Sequence, residues 1–235
     1  MSTPSRESLS HYTPGARLVD SLGIVGFFAA AALNGARVLA LGAEAADSVT
    51  AAALFAGYLG ADVASGTVHW FFDTWLSAQT PVLGSMFVRP FREHHVDPLA
   101  ITRHDFVETN GSNCLATVPI LLAALAFDPA AGALPRAGVV FAVSLCLGVF
   151  ATNQLHKWAH LPERPPWLRA LHATRLVLRP DHHAVHHRAP YARHYCITTG
   201  WMNPLLDRIG FYRRLELGIS ALTGATARAE DAQLG

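Results

Sequence analysis

Apolar residues in this chain come in long runs, and the polar residues between them are gathered into a few stretches. Residues 18–41 form the first run, long enough at about 1.5 Å per residue to cross a hydrocarbon core of about 30 Å. Asn34 and Arg37 fall towards its end, where Arg37 can snorkel to the headgroups. A short connection with Glu44 and Asp47 leads to a second run, residues 49–68, broken only by Asp62 and by the scatter of Gly, Ser and Thr typical of packed membrane helices. These two runs predict a helical hairpin. Residues 113–127 are shorter than a full span, and Asp128, Pro129 and Pro135 interrupt the pattern before residues 138–155 resume it, which predicts a second hairpin. Residues 74–113 are polar and punctuated by Pro81, Pro90 and Pro98, so a large loop is expected there, with Asn110-Gly111 as a turn. The expected fold class is all-α: an integral, multi-pass membrane protein of about four transmembrane helices in two hairpins, with a histidine-rich helical cap. Residues 1–17 are expected as a polar tail, 18–216 as one membrane domain, and 217–235 as a flexible tail.

Composition agrees with a membrane class, since 51% hydrophobic and 15% charged residues is too apolar for an ordinary soluble protein. The net charge of +1 comes with no basic stripe, which removes nucleic acid as a partner. The first apolar run is longer than a signal-peptide core and is read as a retained helix. Cys114, Cys146 and Cys196 have no metal-type spacing and imply no disulfide framework. Arginines dominate the segment after the last run, from Arg164 to Arg214, and the positive-inside rule places it in the cytosol. Arg89, Arg92 and Arg103 put the 74–113 stretch on that same side, together with both termini. The five tryptophans, Trp70, Trp75, Trp158, Trp167 and Trp201, lie beside expected interfaces, where an aromatic belt accounts for them.

The chemistry is carried by histidine. His182, His183, His186 and His187 crowd six positions; on a helix His183, His186 and His187 share a face, and His182 pairs with His186. His156 and His160 form another i, i+4 pair at the end of the last run, and His94, His95 and His104 fall in the large polar stretch. His69 lies seven residues after Asp62 and four before Asp73, on one helical stripe. Every one of these clusters is expected at the cytosolic ends of helices or in cytosolic segments, as one shared site requires. The ten candidate ligands, His69, His94, His95, His104, His156, His160, His182, His183, His186 and His187, exceed what one tetrahedral zinc uses, so two metals fit better. Imidazole suits iron, zinc and copper alike. Asp62, Asp73, Glu93, Asp97 and Asp181 are candidates for orienting the rings from outside. His172 and His194 are read as structural and His11 as a solvated tail residue. There is no His-Glu-x-x-His box, no Glu-x-x-His pair of a carboxylate-bridged bundle, no Gly-x-Ser-x-Gly elbow and no phosphate-cradling Gly-rich loop.

Four stretches carry a resemblance. Asp62-Val63-Ala64-Ser65-Gly66-Thr67-Val68-His69-Trp70-Phe71-Phe72-Asp73-Thr74-Trp75, Arg89-Pro90-Phe91-Arg92-Glu93-His94-His95-Val96-Asp97-Pro98, Ile101-Thr102-Arg103-His104-Asp105-Phe106 and Cys196-Ile197-Thr198-Thr199-Gly200-Trp201 resemble the Kua/CarF lipid desaturases over roughly residues 50 to 216. The resemblance implies two iron ions, a di-iron centre, with the family's histidine boxes falling on the ten histidines above, not all of which need bind iron, and with O2 as co-substrate. It implies conversion of an alkyl ether phospholipid into a vinyl ether plasmalogen; plastid desaturases acting on phosphatidylglycerol belong to the same wider group. The second box departs from the His-x-x-His-His pattern of acyl-CoA desaturases, because Phe91 or Arg92 stands where the leading His would be. His183, His186 and His187 match that pattern fully. Removing hydrogen from an unactivated C–H bond is beyond any amino-acid side chain, whereas iron with oxygen achieves it. With no haem or flavin motif, the electrons must come from a separate donor such as cytochrome b5 or ferredoxin with its reductase. Desaturation or hydroxylation of a phospholipid acyl chain is the nearest alternative. A membrane zinc hydrolase and a non-catalytic metal-sensing signalling protein are the alternatives of another class.

Overall fold

The computed structural model describes residues 12–77, 79–81 and 89–227, without the side chains of residues 89, 90, 92 and 93. His11 and the rest of the N-terminal tail, the side chain of Glu93 and the last eight residues lie outside this description. Among the described residues every regular element is helical.

Four helices form a bundle. The first, α1 (Pro14–Leu39), starts where Thr13 accepts a hydrogen bond from the Ala16 amide with Pro14 in the first turn. The second, α2 (Ser48–Thr74), is capped by Asp47, which accepts from the Thr50 amide at 2.7 Å. After α3 (Arg89–Val96) come α4 (Phe106–Ala124) and α5 (Ala133–Ala159). Packing runs from α1 to α4, from α4 to α5 and from α5 to α2, so the consecutive α1 and α2 are joined mainly through the other pair. Small residues set the closest approach: a Cβ on Gly57 of α2 would lie 2.5 Å from the Phe141 carbonyl oxygen of α5, and one on Gly148 of α5 2.5 Å from Ala61 Cβ.

The bundle is apolar outside as well as inside. α1, α2 and α5 are long and apolar enough to cross a membrane, yet only 28%, 33% and 33% of their most apolar windows are buried. Leu22, Val25, Leu54, Phe55 and Leu122 point outwards and exposed. Such a surface requires hydrocarbon around it. Inside, Phe27, Ala30, Ala31, Cys114, Leu121 and Cys146 form the core, and the buried Asn34 amide donates to the Ala30 and Leu121 carbonyls.

α4 corrects the expected loop and the expected short arm. It begins at Phe106, not near residue 113, and its 19 residues span about 28 Å, close to the thickness of a hydrocarbon core. Polarity misled because it serves helix contacts. Asp105 caps the helix through the Val107 and Glu108 amides, Asn113 donates to the Val149 carbonyl, and Asn153 donates to the Thr109 carbonyl. Asn110-Gly111 is not a turn but buried helix, where a Cβ on Gly111 would lie 2.2 Å from Asp20 Cβ.

Beyond one end of the bundle sits a cap of α3, α6 (Pro166–Ala173), α7 (Pro180–His183), α8 (Asn203–Arg208) and α9 (Phe211–Thr223). Its own core contains Trp70, Trp75, Tyr195, Cys196, Leu206 and Tyr212. Trp70 and Trp75 are therefore buried under the cap, and not in an aromatic belt; Glu216 of α9 accepts from the Trp70 indole at 3.0 Å. The helix reaches Thr223, into the stretch expected as a tail.

Candidate metal centre

Two of the bundle helices end in metal-type donors at the cap. α2 delivers His69 and Asp73 one turn apart, and α5 delivers His156 in its last turn with His160 as its C-cap. The other donors come from short segments: His94 and His95 from α3, and His183, His186 and His187 from α7 and the turns after it, where the His186 amide bonds back to the His183 carbonyl at 2.9 Å.

These donors form two groups. In the first are His94, His156, His160, His183 and His187; in the second are His69, Asp73, His95 and His186. Each pair of neighbours in sequence is divided. His94 goes to the first group and His95 to the second, because adjacent helical residues point about 100° apart. His183 and His187 likewise face the first group while His186 faces the second. The groups touch: the rings of His69 and His156 are 6.0 Å apart and those of His95 and His187 5.5 Å apart.

In the first group the Nε2 atoms of His156, His160 and His183 make a triangle of 2.8, 2.9 and 3.2 Å, and His187 Nε2 is 3.0 Å from that of His183. A neutral imidazole has one N–H, so three ring nitrogens in mutual contact cannot satisfy one another. Two donors about 2.1 Å from one ion and at right angles to each other are about 3 Å apart, which matches the spacing found. The buried His94 ring faces His156, His160 and His187, and neither of its nitrogens has a hydrogen-bond partner among the described residues. Burial, followed by the facing imidazoles, lowers the His187 pKa to about 3 and that of His160 to about 4. His94 and His183 are pushed down for the same reasons. Neutral nitrogens are what a metal needs.

The second group is built differently. Asp73 Oδ2 lies 3.3 Å from His69 Nε2, 3.4 Å from His186 Nε2 and 3.6 Å from His95 Nε2, and His95 and His186 Nε2 are 2.9 Å apart. Nδ1 of His69 donates to the Tyr195 carbonyl at 3.1 Å and Nδ1 of His186 to the Arg193 carbonyl at 2.8 Å. Both rings thereby present the Nε2 lone pair inwards. Neither Asp73 oxygen accepts a hydrogen bond from a described residue, which for a buried carboxylate leaves a cation as the fitting partner. Tyr191 stacks flat on His95, with ring centroids 4.5 Å apart and planes within 3°.

His104 and His182 join neither group. His104 is partly exposed beside Glu108, at 3.6 Å. His182 Nε2 is taken by the Asn203 amide at 3.1 Å, and its ring stacks on His194 4.4 Å away. His172 and His194 also lie outside both groups. Of the expected outer carboxylates, Asp97 pairs with Arg103 and Asp181 with Arg179, and neither belongs to a donor group. Asp62 acts on a loop: fully buried, its Oδ1 accepts the amides of Thr198, Thr199 and Gly200, and its Oδ2 that of Met202. That loop continues from Tyr195, whose carbonyl orients His69. Sequence spacing placed Asp73 on the His69 stripe but as an outer residue, whereas its carboxylate lies among the Nε2 atoms. The carbonyls of Arg193 and Tyr195 left no signal in the sequence, because loop path and not residue type aims them.

Comparisons decide the family. A model described as the lipid desaturase domain matches residues 58–230. The chain belongs to the lipid desaturase family. Among relatives of this lipid desaturase, plasmanylethanolamine desaturase of Myxococcus xanthus is 44% identical over 226 residues, covering 94% of this chain and 78% of that one. Plasmanylethanolamine desaturase 1 of Mus musculus is 43% identical over 236 residues, with 97% and 86% covered. The chloroplastic fatty acid desaturase 4 of Arabidopsis thaliana is 37% identical over 165 residues, with 69% and 49% covered. No solved structure matches. The desaturase is thus a membrane oxidoreductase acting on lipid, with two sets of metal-type donors at the capped end of its bundle.

Proposed function

We propose that this chain is a plasmanylethanolamine desaturase that introduces the vinyl ether double bond of a plasmalogen into an alkyl ether phospholipid. What carries the reading is the coincidence of two touching donor groups with 44% and 43% identity to proteins of that name over nearly the whole chain. His94, His156, His160, His183 and His187 would hold one iron ion, and His69, Asp73, His95 and His186 the other. Iron with O2 supplies the power to remove hydrogen from the two adjacent carbons beside the ether oxygen. The balance is closed when O2 accepts two electrons and two protons from the lipid and two of each from outside, giving two waters. Those outside electrons come from cytochrome b5 or ferredoxin with its reductase.

The chain's own residues hold the site ready. Carbonyls of Tyr195 and Arg193 fix the tautomers of His69 and His186, and Asp62 anchors the loop that aims them. The bond beside an ether oxygen lies near the headgroup, so a site at the end of the bundle reaches it without a deep channel. By the positive-inside rule, the capped end and both termini are cytosolic. Expression in cells that make alkyl ether phospholipids but no vinyl ethers tests the reading. Mass spectrometry is expected to find plasmalogens that depend on His183; acyl-chain unsaturation in their place would favour the second reading, raised by the resemblance to fatty acid desaturase 4.

A further inference from the structure

Two cavities adjoin beside the first histidine group, and one of them is walled by it. One, about 340 Å³, has His160, His183 and His187 on its wall together with Pro98, Leu161 and Arg164. The next, about 610 Å³, is lined by Pro162, Glu163, Arg164, Pro165 and Arg169. Pro162 and Arg164 belong to both, so the cavity lined by Glu163 and Arg169 and the histidine-walled cavity meet at Arg164. The Arg169 guanidinium donates to the Arg164 carbonyl at 3.0 Å, which holds the two arginines of this turn together. Trp167, half exposed and in edge contact with Trp158 at 5.3 Å, marks the level of the lipid headgroups beside them.

We propose that this pair of cavities is the seat of the substrate's zwitterionic headgroup, with Arg164 and Arg169 binding the phosphate and Glu163 the ammonium. Its choice of substrate rests on the reading as an ether-lipid desaturase. A guanidinium offers several N–H donors to phosphate oxygens, and a carboxylate in the same cavity favours a cationic amine over a bare phosphate. The phosphate of such a lipid is joined to the first alkyl carbon only through glycerol. A cation that holds the phosphate must therefore stand next to the metal-type donors, and among the described residues Arg164 lines a cavity together with them. The apolar part of that wall, Pro98, Leu161 and Pro162, suits the glycerol and the start of the chains.

Lipid binding is measured on the purified full-length chain by native mass spectrometry, which needs no turnover. The probes are an alkyl-acyl glycerophosphoethanolamine, its phosphate-only counterpart and the phosphate-free alkyl-acyl glycerol. Arg164→Gln is expected to bind the phosphoethanolamine lipid at least about tenfold more weakly, with metal content as in the parent and with Arg164→Lys recovering part of the loss. Glu163→Gln is expected to erase the preference for phosphoethanolamine over bare phosphate. Arg208→Gln, an equal loss of charge on an exposed position elsewhere, is expected to bind like the parent. Equal binding by Arg164→Gln and the parent, an equal loss in Arg208→Gln, or parent binding of the phosphate-free lipid as tight as that of the phospholipid would each overturn the assignment. Headgroup binding without any vinyl ether product would instead defeat the desaturase reading and leave this one standing.

Discussion

The two donor groups sit side by side and solve the same problem by different means. Five imidazoles make the first, with one nitrogen of each within 4.8 Å of the others and with few partners behind them. Three imidazoles and the Asp73 carboxylate make the second, and two of its rings are braced by backbone carbonyls. A dication in the first group keeps its full charge, whereas in the second one negative charge offsets part of it. The first group therefore depends on the number of its ligands, and the second on the charge and bracing of fewer.

The largest effect is expected at the centre of the first group. His183 Nε2 is within 2.8–3.0 Å of His156, His160 and His187, so His183→Ala is expected to remove one metal per chain and lower vinyl ether formation at least about 100-fold. Elemental analysis beside the lipid assay reads both. Asp73→Asn keeps the shape of the second group and removes its charge. A loss of about 10- to 100-fold in metal affinity is expected there, with the first group still loaded, and undiminished affinity would break the distinction drawn between the groups.

A smaller effect reaches the second group through its bracing. Asp62→Asn replaces a carboxylate that accepts four backbone amides, and about 3 kcal/mol of stability is expected to go, read as a lowered unfolding temperature. The smallest effects belong to His104→Ala and His182→Ala. Both are expected to retain the parent's metal content, and loss of a metal from either would redraw the groups.

The sequence made the helical ends legible, because i, i+4 spacing alone puts His156 with His160 and His69 with Asp73. It also placed His94 and His95 side by side in the polar stretch. It did not say that those neighbours divide between two centres, nor that His183 and His187 part from His186, since that depends on where α3 and α7 lie across the end of the bundle. His182 belongs by spacing to the same crowded stretch, but Asn203, twenty-one positions on, occupies its nitrogen. The same blindness produced the loop expected over the start of α4. Asn110 and Asn113 look like turn residues one by one and become helix contacts only when α5 is beside them.

Iron counted per chain in the purified, reconstituted protein tests the central claim most directly. Two iron ions are expected in the parent, one in His183→Ala with the second group still filled, and formation of vinyl ether only when both are present. A parent chain that is fully active with a single ion, or with zinc and without oxygen, would contradict the account.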